Sequence, residues 1–201
     1  MIIGPKYKIA RRLGAPVFEK TQTQKFNLRA ERKSKSRSFS KPKSEFAIQM
    51  NEKQKVRMYY GVSEKQFSKY VKESIAKKAS KAASLLFERL ETRLDNIVYK
   101  AGFATTHRFA RQMVSHGHIT VNGKKVTIPS MHITEKDILS IREGSKSSKL
   151  FNNLEENFKN ITVPEHISVD IKSRTFKLVG VPKIPDNMMF DLNSVIGFYS
   201  R

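Results

Sequence analysis

Charge is the feature that most limits what this chain can fold into. Its 201 residues carry 39 Lys and Arg against 18 Asp and Glu, a net charge of +21. Self-repulsion of that size opposes a compact state until a polyanion neutralises it. The charge is unevenly spread. Residues 1–46 hold 13 basic and 3 acidic side chains, 47–90 hold 10 and 4, 91–149 hold 10 and 5, and 150–201 hold 6 and 6. The polyanion therefore belongs along the first three segments, and the last reads as scaffold or protein-contact surface. Nucleic acid is the first candidate partner and an anionic membrane surface the second.

The chain has no cysteine. Disulfides, thiolate metal sites and cysteine nucleophiles are thereby excluded, which fits a reducing compartment. No apolar run approaches a membrane span, and the first residues lack the apolar region of a signal peptide. The basic, acid-poor start has the composition of an organellar transit peptide, but Gly4, Pro5, Gly14 and Pro16 oppose the amphipathic helix such a peptide needs.

Hydrophobic periodicity divides the chain. Residues 1–46 show no sustained apolar period and mix cations with isolated aromatics, Tyr7, Phe18, Phe26, Phe39 and Phe46. They read as an extended arm that orders on RNA rather than as a solvated tail. From about residue 47 the pattern turns helical. Asn51 to Tyr60 ends at Gly61, and Ser63 with Gln66 forms a capping box ahead of a stripe through Phe67, Tyr70, Val71, Ile75 and Ala79. Leu86, Leu90, Leu94, Ile97, Val98 and Ala101 predict one further helix that stops at Gly102. Thr105 or Thr106 caps a short helix with Phe109, Ala110, Met113 and Val114 on one side and Arg108, Arg111, Gln112 and Ser115 on the other.

The period then changes to two. Ile119 and Val121 alternate with Thr120, and Asn122-Gly123 is a strong signal for a type I′ hairpin returning through Val126 and Ile128. Leu139 and Ile141 suggest a third strand. Ile167, Val169 and Ile171, then Phe176 and Leu178, read as another strand pair, and Val195, Ile196 and Phe198 as a short terminal helix. Residues 144–160 read as a polar linker with a helical turn near 154–158.

Catalytic and metal chemistry finds little support. Gly117 and Gly123-Lys124-Lys125 lack the spacing and hydroxyl residue of a phosphate-binding loop. His107, His116, His118, His132 and His166 have neither a metal-binding motif nor a cysteine partner, so packing or RNA backbone contact suits them better. Glu155 and Glu156 are adjacent, and on a helix their side chains diverge by about 100°. The stretch between Arg108 and Glu135 is the informative one, because it contains no carboxylate. Its helix and hairpin together offer a cationic patch to phosphates and 2′-hydroxyls, although an ordinary solvated helix face would look much the same.

The run Arg93-Leu94-Asp95-Asn96-Ile97-Val98-Tyr99-Lys100-Ala101-Gly102-Phe103-Ala104, with Arg111 through Val126, closely resembles the bacterial-type small-subunit ribosomal protein S-four family. Gly4-Pro5-Lys6 through Arg11-Arg12, Glu52 to Arg57, Tyr60 to Phe67, Val163-Pro164 and the terminal Phe198-Tyr199-Ser200-Arg201 extend the resemblance over nearly the whole chain. It implies an α+β fold: a basic N-terminal arm over 1–46, a small helical domain over 47–90 with 185–201 packing back on it, and an inserted RNA-binding domain over 91–184. That domain is a helix–turn–helix with a small antiparallel sheet, its core at 91–151.

The same resemblance implies function. A family member binds the 5′ domain of small-subunit rRNA at a helix junction and nucleates assembly. It sits near the mRNA entry channel beside the small-subunit proteins numbered three and five, and influences decoding accuracy. It is a cytoplasmic constituent of the subunit, or of an organellar ribosome, and not an enzyme. RNA contacts are expected from Arg11, Arg12, Lys53, Lys55, Arg57, Arg93, Arg108, Arg111, Gln112, His116, His118, Lys124 and Lys125. Many members bind zinc through cysteines, two of them where this chain has Tyr7 and Ala10, so no metal or other cofactor is expected here. The polar stretch Lys146–Asn160 looks longer than usual for the family. Three rivals compete. A pseudouridine synthase carrying the same unit would need a catalytic domain that 150–201 is too short to supply. A free regulatory or stress protein would not be expected to match at both termini. A membrane-surface protein would need broader apolar stripes.

Overall fold

The computed structural model describes residues 3–35, 44–151, 158 and 162–200. Phe39, Arg201 and, except for Phe158, the turn expected near 154–158 lie outside them. The chain forms two compact units, Met1–Leu86 with Ile184–Arg201, and Phe87–Lys183.

In the first unit, α1 (Lys6–Leu13) and α2 (Gln24–Lys35) occupy the segment expected to be an extended arm. The correction has a simple cause. Pro5 and Gly14 do not break a helix here; they bound one, Pro5 as its N-cap and Gly14 as a left-handed C-cap. Ala10 and Leu13 then close on Ala15, Val17 and Phe18, with Ile9, Phe26 and Met58 packed against them. The apolar repeat is too short and too crowded by cations to register as a period.

Next come α3 (Glu45–Tyr60) and α4 (Glu64–Lys77), capped by Ser44 and Ser63 through the backbone N–H groups of Ala47 and Gln66. Helix α3 starts at Glu45, close to the expected turn to a helical pattern near residue 47, because Ser44 supplies the cap. The terminal helix α8 (Leu192–Tyr199) packs on α3 and α4. Its N-cap Asp191 receives the N–H groups of Asn193 and Ser194, and donates its own N–H to Glu52.

The boundary between the units falls within α5 (Ala82–Glu91). The single helix expected through Ala101 is interrupted: α6 (Leu94–Lys100) starts anew after an extended Arg93, which bridges to His132. Leu94 and Asp95 donate their N–H groups to Met131 and Pro129, and Ile133 donates to Thr92. A distant strand-like segment thus takes hydrogen bonds that a continuous helix would keep to itself.

Helix α7 (His107–Ser115) packs on α6. The strands β1 (Ile119–Val121), β2 (Lys124–Lys125), β3 (Ile138–Ile141), β4 (Ile167–Asp170) and β5 (Thr175–Leu178) form one antiparallel sheet in the order β2-β1-β3-β5-β4. The sheet expected to be small and the separate strand pair are joined by β3 and β5, where Leu139 lies opposite Phe176. Leu94, Ile97, Val98, Phe103, Met113, Ile119, Leu139 and Phe176 meet in the core between helices and sheet. The fold is α+β.

Candidate nucleic-acid interface

The candidate surface begins with the cap of α7. Thr106 accepts the N–H of Phe109 at 3.1 Å, which fixes where the helix starts. Ala110, Met113 and Val114 are buried, so Arg108, Gln112, Ser115 and His116 face outward. At the end of the helix, Gly117 takes a left-handed φ of 73°. A side chain there would also collide with the Cε of Lys125. The stem of Lys125 therefore lies over Gly117, beside the two histidines.

The hairpin turn has φ of 51° at Asn122 and 77° at Gly123, the left-handed pair of a type I′ turn. Asn122 is held by two further contacts: its amide donates to Asp137 at 2.8 Å and its carbonyl accepts the N–H of Ile138 at 2.9 Å. Lys124 and Lys125 are exposed on the short return strand β2.

His118 is partly buried, and its Nδ1 lies 3.0 Å from the hydroxyl of Ser145. The rings of His116 and His118 are 6.2 Å apart. Burial, followed by repulsion from His116 and Arg142, holds the His118 pKa below the usual histidine value. Arg142 is exposed and close enough to matter electrostatically, yet it stands apart in sequence at the end of β3 and is not among the expected contacts. What brings it here is its backbone N–H, which returns to the His118 carbonyl, a pairing invisible before folding.

Arg111 belongs to the same helix but is directed inward. Its Nε and Nη2 donate to Asp95 Oδ2 at 2.9 and 2.6 Å. Arg93 donates to both oxygens of the same carboxylate at 3.0 and 2.8 Å, and is only 3% exposed. Arg93, expected to reach RNA, is thus a buried guanidinium engaged by a carboxylate through Nε and Nη2.

A second buried network lies close to this one. Glu91 is fully buried, receives the Asn96 amide and the Lys100 ammonium at 2.9 Å each, and has His166 Nε2 3.9 Å away. Asn96 in turn meets His107 Nε2 at 3.1 Å, and the His107 ring lies 3.9 Å from that of Tyr99. These contacts tie α5, α6 and α7 to the start of β4.

The first unit divides its expected contacts. Arg11 and Arg12 are exposed on α1, Arg11 also donating to the Tyr7 carbonyl at 3.1 Å. Lys53, Lys55 and Arg57 are internally engaged. Lys53 lies 3.0 Å from Glu64 and over the Phe198 ring, Arg57 lies 2.8 Å from Glu64, and Lys55 pairs with Glu52 at 2.6 Å. Among the described residues, no group of three His, Asp or Glu is placed to hold a metal ion.

Comparison with known proteins identifies the family. Residues 1–91 match the model of the ribosomal protein S4/S9 N-terminal domain, and residues 92–139 match the S4 domain. The small ribosomal subunit protein uS4B of Clostridium acetobutylicum is 42% identical, covering 99% of this chain and 97% of that protein. The uS4 proteins of Persephonella marina and Gluconacetobacter diazotrophicus are 38% and 39% identical, each covering 98% of this chain and 98% and 97% of their own lengths. With both family models laid end to end and similarity running across nearly the whole length, the chain belongs to the uS4 family of small ribosomal subunit proteins.

Proposed function

We propose that this chain is a structural constituent of the small ribosomal subunit, without catalytic activity, that binds small-subunit rRNA directly. The observation that carries the reading is the outward face of α7 and the β1–β2 hairpin, built from a stretch of chain that has no carboxylate of its own and anchored on its inner side by Ala110, Met113 and Val114. Phosphate and 2′-hydroxyl contacts come from Arg108, Gln112, His116, His118, Lys124, Lys125 and Arg142, with Arg111 held in place at the edge of the patch. Arg11 and Arg12 add contacts from the first unit. This is recognition by charge neutralisation and shape, the mode suited to folded RNA.

Its finer features follow the family resemblance. The target is the 5′ domain of small-subunit rRNA, binding nucleates folding of that domain, and the mature location is near the mRNA entry beside proteins three and five, with an influence on decoding accuracy. The site of action is the cytoplasmic ribosome. Among the described residues no helix is long and apolar enough to cross a membrane. A free regulatory protein using the same domain is the second reading; similarity over 97–98% of the uS4 relatives' own lengths favours the ribosomal one.

The test is binding to a 5′-domain transcript across a salt series, against an unrelated structured RNA of equal length. Preference for the cognate domain at high salt supports the proposal. Six to ten phosphate contacts would weaken binding by roughly a thousandfold or more between about 50 and 200 mM salt on the duplex-DNA scale. Equal binding of both RNAs, abolished together as salt rises, would withdraw it.

A further inference from the structure

We infer that the first unit carries its own phosphate-tracking surface on the outer face of α4, built from Lys65, Lys69 and Lys72 and continued in sequence by Lys77, Lys78 and Lys81, and that its ligand is the sugar–phosphate backbone of RNA. The inference rests on the rRNA-binding reading and relocates the contacts of this unit from α3 to α4.

Three observations converge. The first is occupancy. Lys53, Lys55 and Arg57 on α3 are engaged with Glu64 and Glu52 and are largely buried. The six lysines of α4 and the turn after it are all exposed. The second is orientation. Phe67, Tyr70, Val71 and Ser74 are buried, which sets the rotation of α4 about its axis. Lys65, Lys69 and Lys72 follow at spacings of four and three, so they share the opposite face. At 1.5 Å per residue this row is about 10 Å long, a length suited to a run of successive charges rather than to one small anion.

The third observation is the fate of the nearby carboxylates. Glu64 is turned toward Lys53, Arg57 and Tyr199. Glu73, half-buried, lies 3.8 Å from Lys69, a long i,i+4 pair of the kind that contributes about 0.3–0.5 kcal/mol. The lysine row thus faces outward with little internal neutralisation. A protein partner is the alternative occupant, but lysine is depleted at protein–protein interfaces, and the row carries no large apolar side chain to anchor one.

The experiment uses the full chain and the 5′-domain transcript. The variant K65Q/K69Q/K72Q is compared with a charge-matched control, K136Q/K172Q/K177Q, drawn from exposed lysines of the second unit. Gln is close to Lys in helix propensity, and circular dichroism verifies that both variants fold. The α4 variant is expected to reduce the salt slope by about two units, at roughly 0.7–0.9 for each phosphate no longer neutralised, and to weaken binding by about tenfold or more at moderate salt. In hydroxyl-radical footprinting one protected stretch of RNA should disappear while the rest persists. An α4 variant indistinguishable from the control in slope, affinity and footprint overturns the inference. So does a variant that loses binding to polyglutamate while RNA binding is unchanged, since that outcome assigns the row to an acidic protein. If the wild-type chain shows no preference for the 5′ domain, the ribosomal reading falls, and the same variants on the unrelated RNA still decide whether α4 tracks phosphate.

Discussion

Arg111 and Asp95, sixteen residues apart in sequence, form a two-point contact in which the guanidinium donates from Nε and Nη2 to a single carboxylate oxygen at 2.9 and 2.6 Å. Arg93 holds the same carboxylate from the other side. The helix α7, proposed to face RNA, is therefore tied, by one acid, to the break between α5 and α6. Removing Asp95 strands a buried Arg93, so Asp95→Ala should destabilise the second unit by about 3–5 kcal/mol, the cost of breaking a buried pair. Urea denaturation measures this. An unchanged midpoint would mean that the triad is decorative.

Arg93→Gln provides the complementary prediction. The side chain is buried and internally engaged, so the substitution should lower stability while leaving the salt slope of RNA binding near the wild-type value. Arg108→Gln should do the opposite, lowering the slope by about one phosphate's worth with little change in stability. Paired denaturation and salt-series measurements separate the two. If Arg93→Gln lowered the salt slope without lowering stability, the assignment of its role would be reversed.

Acidification should weaken the folded second unit. His118 is held low by burial and then by electrostatic repulsion from His116 and Arg142, and His166 by burial, with Glu91 opposing and Lys100 adding to the effect. A histidine whose folded pKa is depressed takes up protons more readily when unfolded. Its contribution is full above the ordinary value near 6.5 and declines as the pH falls below it toward the folded value. The urea midpoint should thus drop between about pH 7 and 5.5, less so in His118→Gln/His166→Gln. RNA binding should respond with the opposite sign, strengthening on acidification as phosphate favours protonated His118. A flat stability profile over that window would refute the first part.

Tyr199 and Glu64 join the terminal helix to α4. The phenol donates to Glu64 Oε1 at 2.8 Å, and both burial and this bond raise the tyrosine pKa. Burial alone would raise the Glu64 pKa, but hydrogen bonds from Tyr199 and Lys53 and the charges of Lys53 and Arg57 outweigh it and hold the group below its ordinary value. Stability from Glu64 is therefore present above about pH 4.5 and declines on further acidification. Tyr199→Phe should cost about 1–2 kcal/mol at neutral pH, as expected for a hydrogen bond to a charged acceptor. Thermal or urea unfolding of the variant tests it, and a neutral effect would place the bond in solvent exchange.

Several elements are legible in the sequence because their signals are local. The caps at Ser63 and Thr106, the alternation of Ile119 and Val121, and the Asn122-Gly123 turn each depend on residues within four positions of one another. The helix over 6–13 is not legible although its boundaries, Pro5 and Gly14, are in plain view. Along the chain those residues look like breakers, and only the packing of Ala10 and Leu13 against Val17 and Phe18 shows them as ends. The α4 lysine row has a readable spacing, but nothing local distinguishes it from a solvated face.

By itself, the sequence determined the polyanionic class of partner, the helix–turn–helix and hairpin, the carboxylate-free stretch and the family, because charge, cap chemistry and strand period act over short separations. Tertiary structure decided which cations remain available to a partner. Lys53 and Arg57 are taken by Glu64, and Arg93 by Asp95, while Arg142 is brought to His118 by the pairing of strands β1 and β3. Ion pairing depends on which side chains burial brings within about 3 Å of each other and removes from water, and no count of charges along a chain contains that information.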